Sequence, residues 1–150
     1  MTTIRSITAA DRQAWGQLYA AYADFYGVPQ TEDMRQTVFD WLMEEENEMT
    51  GLVAEAADGS LVGMAHLRLF KRPLSAKIGL FLDDLFIDPA SRGTGVSRAL
   101  YQAMDEQAEA AGADVIRWIT ADDNYRARGL YDQLAERTMW VTYDRRLELD

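Results

Sequence analysis

A short segment with two glycines offers the most specific chemistry in this sequence. Residues 88–101 read DPASRGTGVSRALY, which places an arginine and two glycines between an apolar run and a pattern of helical periodicity. Backbone N–H groups in such a turn can point at one anion, and the start of a helix adds partial positive charge. Arg92 would add a full positive charge at the rim. The segment predicts either an anion-binding turn or a strand-to-helix corner that binds no ligand.

Two common phosphate-binding motifs do not fit this turn. A Walker loop requires Gly-Lys followed by Ser or Thr, and no such run occurs in the chain. The dinucleotide-binding fingerprint requires a third glycine where this sequence has Arg98. These departures count against an unrelated nucleotide-binding domain.

Three other places carry side chains capable of acid–base chemistry. Asp83 and Asp84 are adjacent in a long apolar run, and neighbouring strand residues face opposite ways, so we expect only one to point into any given cleft. An exposed pair at a strand end is an equally good interpretation of the spacing. Tyr131 lies on an apolar helical face and, taken alone, is typical of a core residue. His66, in an apolar strand, is most simply a core or hairpin histidine, with a role as a second candidate base.

The periodicity predicts one α/β domain over residues 1–150, in which a short series of elements positions these groups. The first helix carries a row of aromatic residues that we expect to lie in the core. The predicted elements are a strand in TIRSIT, helices over residues 9–27 and 31–46, strands at 52–57, 61–70 and 77–88, a helix from Gly95 to Gly112, a strand at 114–120, a helix over 121–136 with Asp122 or Asp123 as N-cap, and a last strand at 138–149.

The composition narrows the function classes. The chain has no cysteine, which excludes thiol nucleophiles and disulfides and suits a reducing cytoplasm, and its single histidine makes a catalytic triad or a common metal site hard to build. A formal net charge of −10 argues against non-specific nucleic-acid binding and mildly favours basic partners. The N-terminus has no apolar core of signal-peptide length, and no apolar stretch is long enough to span a membrane. We therefore expect a cytoplasmic protein that uses no metal and binds neither nucleic acid nor membrane.

Two motifs together resemble those of the GCN5-related N-acetyltransferase (GNAT) family. DLFIDPASRGTGVSRAL resembles the acetyl-CoA-binding motif Arg/Gln-x-x-Gly-x-Gly/Ala, carried here by Arg92, Gly95 and Ser97, with serine where the family prefers glycine or alanine. DNYRARGLYDQL resembles the Asn-x-x-Ala-x-x-Leu/Phe-Tyr helix, carried by Asn124, Ala127, Leu130 and Tyr131. The resemblance implies a GNAT-type α/β fold, with a central mixed, mostly antiparallel, twisted sheet flanked by about four helices. The chain is most similar to the branch that acetylates histones, polyamines and other small basic amines.

The resemblance also implies a set of site residues, and it implies that a few of the aromatic residues of the first helix line the acceptor slot. Asp83 would be a water-mediated base, Asp84 would bind the amine, and Tyr131 would be the general acid toward the coenzyme A sulfur. The implied acetyl-CoA-binding residues are Leu85, Phe86, Ile87, Arg92, Gly93, Thr94, Gly95, Val96, Ser97, Asn124 and Arg128. We therefore expect direct transfer of an acetyl group from acetyl-CoA to a primary amine, without a metal or a covalent acyl-enzyme.

Several points of this prediction remain open at the level of sequence. The preferred acceptor is a small basic amine or polyamine, the alternatives being a protein lysine or N-terminus, or a non-catalytic module that only binds acetyl-CoA. The acidic run Glu44, Glu45, Glu46 and Glu48 could attract a polycation, but a solvated helix end is the simpler interpretation. The last predicted strand would leave an exposed aromatic edge, so we expect a homodimer or a higher homo-oligomer.

Overall fold

The computed structural model describes residues 1–46 and 49–149. Nine helices and strands are described in these ranges, connected by loops and three short 3-10 turns. In chain order they are β1 (Thr3–Ser6), α1 (Arg12–Phe25), α2 (Glu32–Met43), β2 (Met49–Glu55), β3 (Leu61–Arg72), β4 (Lys77–Ile87), α3 (Val96–Ala111), β5 (Ala113–Arg117) and α4 (Tyr125–Leu134).

The five strands form one mixed sheet in the order β1-β2-β3-β4-β5. The first four pair antiparallel with their neighbours, and β5 joins β4 in parallel. A parallel pair needs a crossover connection, and α3 supplies it. The predicted mixed, mostly antiparallel sheet with four helices is confirmed.

The core below α1 and α2 is aromatic and aliphatic. Trp15 is completely buried and packs with Phe39 of α2, Met64 of β3 and Phe86 of β4. The next residue along β3, Ala65, points to the other face of the sheet and is also completely buried. Helix α3 buries Leu100 and Met104 at helical spacing. The strand segment that carries the two aspartates is therefore held within a packed structure.

The chain divides into two compact units. Met1–Trp118 holds the sheet, α1, α2 and α3, and the residues from Ile119 onward form a second unit that contains α4. The single domain over residues 1–150 stays a prediction. No helix within the described residues is both long and apolar enough to cross a membrane.

The predicted last strand is wrong. Residues 138–149 contain no helix or strand, and Trp140 and Tyr143 are 87% and 89% exposed. Alternating polarity gives a segment two distinct faces, but a strand forms only where a neighbouring strand supplies backbone partners. The sequence pattern of residues 138–149 shows this alternation but does not show whether a neighbouring strand is present.

The structure also differs from the prediction at the end of α2 and at the start of α4. Helix α2 ends at Met43 instead of residue 46, and Glu44 is already extended. A run of glutamates at the negative end of a helix dipole is unfavourable, which explains the early end. Glu48 lies outside the described residues. The N-cap position of α4 is Asn124 and not Asp122 or Asp123, with the Asn124 Nδ2 donating to Thr120 Oγ1 at 3.1 Å.

Candidate active site

The turn after β4 has the backbone conformation that its glycines allow. A 3-10 turn over Pro89–Ser91 follows the strand, and the Asp88 side chain accepts a hydrogen bond from the Ala90 amide at 3.0 Å. Gly93 and Gly95 then take φ values of 77° and 87°, in the region that residues with a Cβ avoid. Helix α3 begins directly afterwards at Val96.

This turn presents a run of amides with no hydrogen-bond acceptor. Within the described residues, none of the backbone N–H groups of 93–97 donates a hydrogen bond, and the Ala99 amide makes the first helical bond, to the Gly95 carbonyl. A Cβ built on Gly93 or Gly95 would meet no atom within 4 Å, so the space before these amides is open. Unpaired N–H groups at a helix start form an anion-binding cradle. A cradle of this kind can bind an anion such as a phosphate group.

Arg92 lies at the rim of this cradle. Its side chain is partly buried, and its guanidinium carbon lies 5.2 Å from the centre of the Phe25 ring at the end of α1. Stacking on an aromatic ring holds a guanidinium while leaving its N–H groups able to bind oxygen. Arg92 therefore contributes a fixed positive charge next to the free amides.

One edge of β4 is open just before the cradle. Strand β5 pairs with β4 at Ile78, Leu80 and Phe81, whereas the last residues of β4 pair only with β3 on the other side. Within the described residues, no strand pairs with this edge from Leu85 to Ile87. Backbone groups on an open strand edge can hydrogen-bond an extended ligand that contains amides. The edge leads directly into the glycine turn.

A β-bulge in β4 places the two aspartates. His66 of β3 pairs with Asp84, but the next residue, Leu67, pairs with Leu82, so Asp83 is an extra residue in β4. The Asp84 carboxylate contacts His66 and the Asp83 carboxylate contacts Arg68, two side chains on the same face of β3. The expected opposite orientation of the pair is therefore wrong, because a bulge interrupts the alternation on which it rested.

Asp84 belongs to a buried hydrogen-bond network. Its Oδ2 lies 2.8 Å from His66 Nδ1 and accepts a hydrogen bond from the Tyr19 hydroxyl at 2.9 Å. Behind His66, the Trp15 indole Nε1 donates to His66 Nε2 at 2.9 Å. The Asp84 side chain is 21% exposed, and those of His66 and Trp15 are buried. Of Trp15, His66 and Asp84, only Asp84 thus reaches solvent.

The network keeps Asp84 ionised. Burial by itself would raise its pKa, but hydrogen bonds from His66, Tyr19 and Tyr22 outweigh burial and leave the pKa below its usual range. Burial and the Asp84 charge both raise the pKa values of Tyr19 and Tyr22, so these phenols stay protonated. The result is a carboxylate held among hydroxyl groups, an arrangement suited to binding a cation.

Asp83 has a different environment. Arg68 Nε lies 3.2 and 2.9 Å from its two carboxylate oxygens, and the Arg68 guanidinium carbon lies 4.4 Å from the centre of the Phe81 ring. Both side chains are partly exposed, at 28% for Asp83 and 44% for Arg68. Asp83 is therefore a paired carboxylate near water, whereas Asp84 is a partly buried one.

The remaining predicted residues lie on α4, in the second unit. The spacing of Asn124, Arg128 and Tyr131 puts them on one side of this helix, and all three are partly buried. The Arg128 guanidinium donates to the Asp122 carbonyl and lies 5.9 Å from the Tyr125 ring centre. No residue of α4 is buried, which disagrees with the interpretation of Tyr131 as a fully enclosed core residue.

Sequence reasoning missed the hydrogen bonds by which α1 contributes to this site. The spacing of Trp15 and Tyr19 was sufficient to put them on the buried face, but not to show that both polar tips turn toward β3 and β4. A signal was present: buried indole N–H and phenol O–H groups require partners, and the only histidine of the chain was available. Aromatic packing continues from Tyr19 to Tyr22 and Tyr26, with centroid distances of 5.9 and 4.9 Å.

Comparisons with known proteins define the class. The profile of the Acetyltransferase (GNAT) family matches residues 15–135. The chain is 25% identical over 143 residues to a D-amino-acid N-acetyltransferase of Saccharomyces cerevisiae, covering 95% of this chain and 89% of the relative. It is 33% identical over 114 residues to an aminoglycoside N(6')-acetyltransferase type 1 of Stenotrophomonas maltophilia, covering 73% and 69%.

A solved structure supports the same fold. AAC(6')-Iy, in complex with the bisubstrate analogue CoA-S-monomethyl-acetylneamine, superposes with a TM-score of 0.84 at 18% identity, covering 98% of this chain and 99% of that one. The protein thus has the GNAT fold. The chain belongs to the GNAT family and is an acetyl-CoA-dependent N-acetyltransferase.

Proposed function

We propose that this protein transfers the acetyl group of acetyl-CoA directly to the primary amine of a small basic compound, with polyamines among the candidate acceptors. The observation that carries the proposal is the run of unpaired amides at residues 93–97, which follows the open edge of β4 after one 3-10 turn. Together they offer hydrogen bonds to an extended, amide-containing arm followed by a pyrophosphate, which is the chemical form of coenzyme A.

The cofactor side uses backbone groups more than side chains. Leu85, Phe86 and Ile87 present main-chain groups along the open edge to the pantetheine arm, while their side chains anchor the strand, Phe86 and Ile87 being buried. The amides of Gly93, Thr94, Gly95, Val96 and Ser97 and the guanidinium of Arg92 bind the pyrophosphate. Asn124, at the N-cap of α4, and Arg128, within it, are the other proposed cofactor-binding residues.

On the acceptor side, Asp84 binds the ammonium group. A lowered pKa keeps its carboxylate charged at neutral pH, and Tyr19 and Tyr22 supply an aromatic wall to which a cation is attracted. The net charge of −10 favours the approach of a basic acceptor. The two relatives named above act on D-amino acids and aminoglycosides, and amino groups are common to both acceptor classes.

The reaction needs a base and an acid. Asp83, near water, takes the proton of the ammonium through a water molecule, because an alkylamine with a pKa of about 10 attacks only in its neutral form. The amine nitrogen forms a bond to the acetyl carbon as the carbon–sulfur bond breaks, and the second proton that this nitrogen loses passes to solvent water, from which Tyr131 is reprotonated after the transfer. Tyr131 donates its phenolic proton to the departing thiolate. A phenol with a pKa of about 10 is well matched to a thiol leaving group.

Release of coenzyme A tests this function. The enzyme is incubated with acetyl-CoA and a panel of polyamines, amino acids of both configurations, aminoglycosides, arylamines and a histone-tail peptide, and free thiol is measured. Turnover with small basic amines, and a higher acceptor KM in Asp84→Asn, is the expected result. Turnover with the peptide alone would instead indicate a protein lysine or N-terminal acceptor.

Two other results would contradict the proposal. Tight acetyl-CoA binding without turnover on any amine, unchanged by Tyr131→Phe, would indicate a non-catalytic binding module. Preferential binding of ATP or NAD would show that the cradle serves another nucleotide.

We also propose a cytoplasmic homodimer or higher homo-oligomer. Large apolar side chains of the C-terminal segment, including Met139, Trp140 and Val141, are 73–92% exposed. Contact with a second copy would remove this surface from water. Sedimentation as a 17.0 kDa monomer at micromolar concentration would contradict the assembly.

A further inference from the structure

We propose that Trp15 and His66 are positioning residues for acceptor binding, which act by fixing the carboxylate of Asp84. The inference rests on the proposed function for the identity of the acceptor group, but not for the geometry of the chain. It assigns a role to the only histidine, which is not used in the transfer chemistry described above.

The two hydrogen bonds of His66 determine its tautomer. An indole Nε1–H can only donate, so His66 Nε2, at 2.9 Å from Trp15 Nε1, must accept and carries no proton. The proton of a neutral imidazole then lies on Nδ1, which donates to Asp84 Oδ2 at 2.8 Å. A second proton, on Nε2, would face the Trp15 N–H and break that bond. Trp15 therefore holds His66 as a neutral donor to Asp84.

Burial shows that the effect passes through Asp84. Trp15 is 0% and His66 1% exposed, so neither side chain can contact a bound acceptor. Apolar residues of similar volume would fill the same space without the cost of burying polar groups. The hydrogen bonds run from the Trp15 indole through the His66 imidazole to the Asp84 carboxylate, the only one of the three groups with solvent access. Any effect of Trp15 and His66 on the acceptor must therefore act through Asp84.

The network also orients the carboxylate. His66 and Tyr19 both bond to Oδ2, from β3 and α1 respectively. A carboxylate has about four lone-pair sites, so two donors on Oδ2 fix its plane, and with Tyr22 as a third donor the carboxylate still has the capacity to accept a hydrogen bond from an ammonium group. A carboxylate fixed before binding loses less rotational freedom when the acceptor binds.

Nitrogen NMR of the histidine tests the tautomer without any acceptor. Because the chain has a single histidine, a sample labelled with 15N-histidine and kept at pH 7 would give the spectrum of His66 alone. One protonated nitrogen at Nδ1 and one unprotonated nitrogen at Nε2 is the expected pattern. Two protonated nitrogens, or a proton on Nε2, would overturn the inference.

Two amide substitutions separate positioning from packing. In His66→Asn the side-chain amide reaches about as far as Nδ1 and can still donate to Asp84. In His66→Gln it reaches the Nε2 position and cannot. We expect His66→Gln to raise the acceptor KM about tenfold or more, with the acetyl-CoA KM unchanged, and His66→Asn to stay within about threefold of the wild type. Equal effects of the two substitutions on acceptor KM would overturn the assignment.

Trp15→Phe has a matched control in Phe39→Leu. Trp15→Phe keeps an aromatic ring but removes the N–H donor, and should raise the acceptor KM by about fivefold. Phe39 packs against Trp15 with centroids 5.2 Å apart and takes no part in the network, so Phe39→Leu should lower Tm without changing the acceptor KM. A rise in KM that follows Tm in both variants would show packing alone.

The outcomes distinguish this inference from the proposed function. If no amine is acetylated but the Nδ1–H tautomer is seen, the proposed function fails while the tautomer stands, and the acceptor role of the network falls with that function. If the enzyme acetylates amines and His66 has the other tautomer, only the positioning inference fails.

Discussion

Gly95 should matter for acetyl-CoA binding beyond its effect on stability, and the chain offers a control of the same geometry. Gly95 and Gly59, in the β2–β3 hairpin, both have φ of +87°, and a Cβ on either would meet no atom within 4 Å. Replacement by alanine at either position costs about 1–2 kcal/mol of backbone strain, since neither variant has a steric clash.

Only Gly95→Ala should weaken acetyl-CoA binding. A shift of φ at this residue turns the adjacent amides of the cradle away from the pyrophosphate, and one lost hydrogen bond to a charged group costs about 1.5–3 kcal/mol. We therefore expect acetyl-CoA Kd to rise about tenfold or more in Gly95→Ala and to stay unchanged in Gly59→Ala. Both variants should lose roughly 2–8 °C in Tm for a chain of this size.

Isothermal titration and thermal unfolding of the two variants measure the difference. Equal acetyl-CoA affinities in Gly95→Ala, Gly59→Ala and the wild type, despite the loss of Tm, would refute the cradle as the pyrophosphate site. A parallel loss of affinity in both variants would assign the effect to general stability.

Three further predictions concern the carboxylates and the proposed acid. Asp84→Asn should lower acceptor kcat/KM about 10- to 100-fold through KM, whereas Asp83→Asn should lower kcat by about 100-fold or more. Steady-state kinetics with an amine that the enzyme acetylates would show similar effects on KM and kcat in both variants if the two aspartates shared one role. Tyr131→Phe should lower kcat about 100-fold or more at unchanged acetyl-CoA Kd, and full activity would eliminate the phenol as the acid. The hydrogen bond from Arg5 lowers the pKa of Asp11 in the folded protein. The ionised Asp11 therefore stabilises the fold above about pH 4, and this stabilisation is lost as the pH falls through the lowered pKa. Denaturant unfolding between pH 6 and pH 2 should show this loss in the wild type but not in Asp11→Asn, and the same pH profile in both proteins would contradict the prediction.

The sequence was informative where a local pattern has a local cause. The glycines predicted the turn, and the helical spacing from Val96 onward predicted α3, because backbone conformation and amphipathic periodicity are properties of neighbouring residues. The long apolar run through Asp83 and Asp84 was correctly predicted as a strand. The mixed sheet followed from the order of these elements.

Features that depend on contacts between distant segments were not predictable in this way. The bulge at Asp83 is a property of the pairing of β4 with β3, and the alternation rule cannot detect it. The bond from Trp15 to His66 joins residues 51 positions apart in the chain. The C-terminal segment has a strand-like pattern, but the presence of a partner strand cannot be inferred from its own residues.

The central claim is that the turn after β4 binds the pyrophosphate of acetyl-CoA, and backbone amide NMR tests it most directly. On titration of 15N-labelled protein with acetyl-CoA, the amides of residues 93–97 should show the largest chemical-shift changes, with smaller changes along residues 85–87. Saturable acetyl-CoA binding that leaves the amides of 93–97 unmoved would contradict the account.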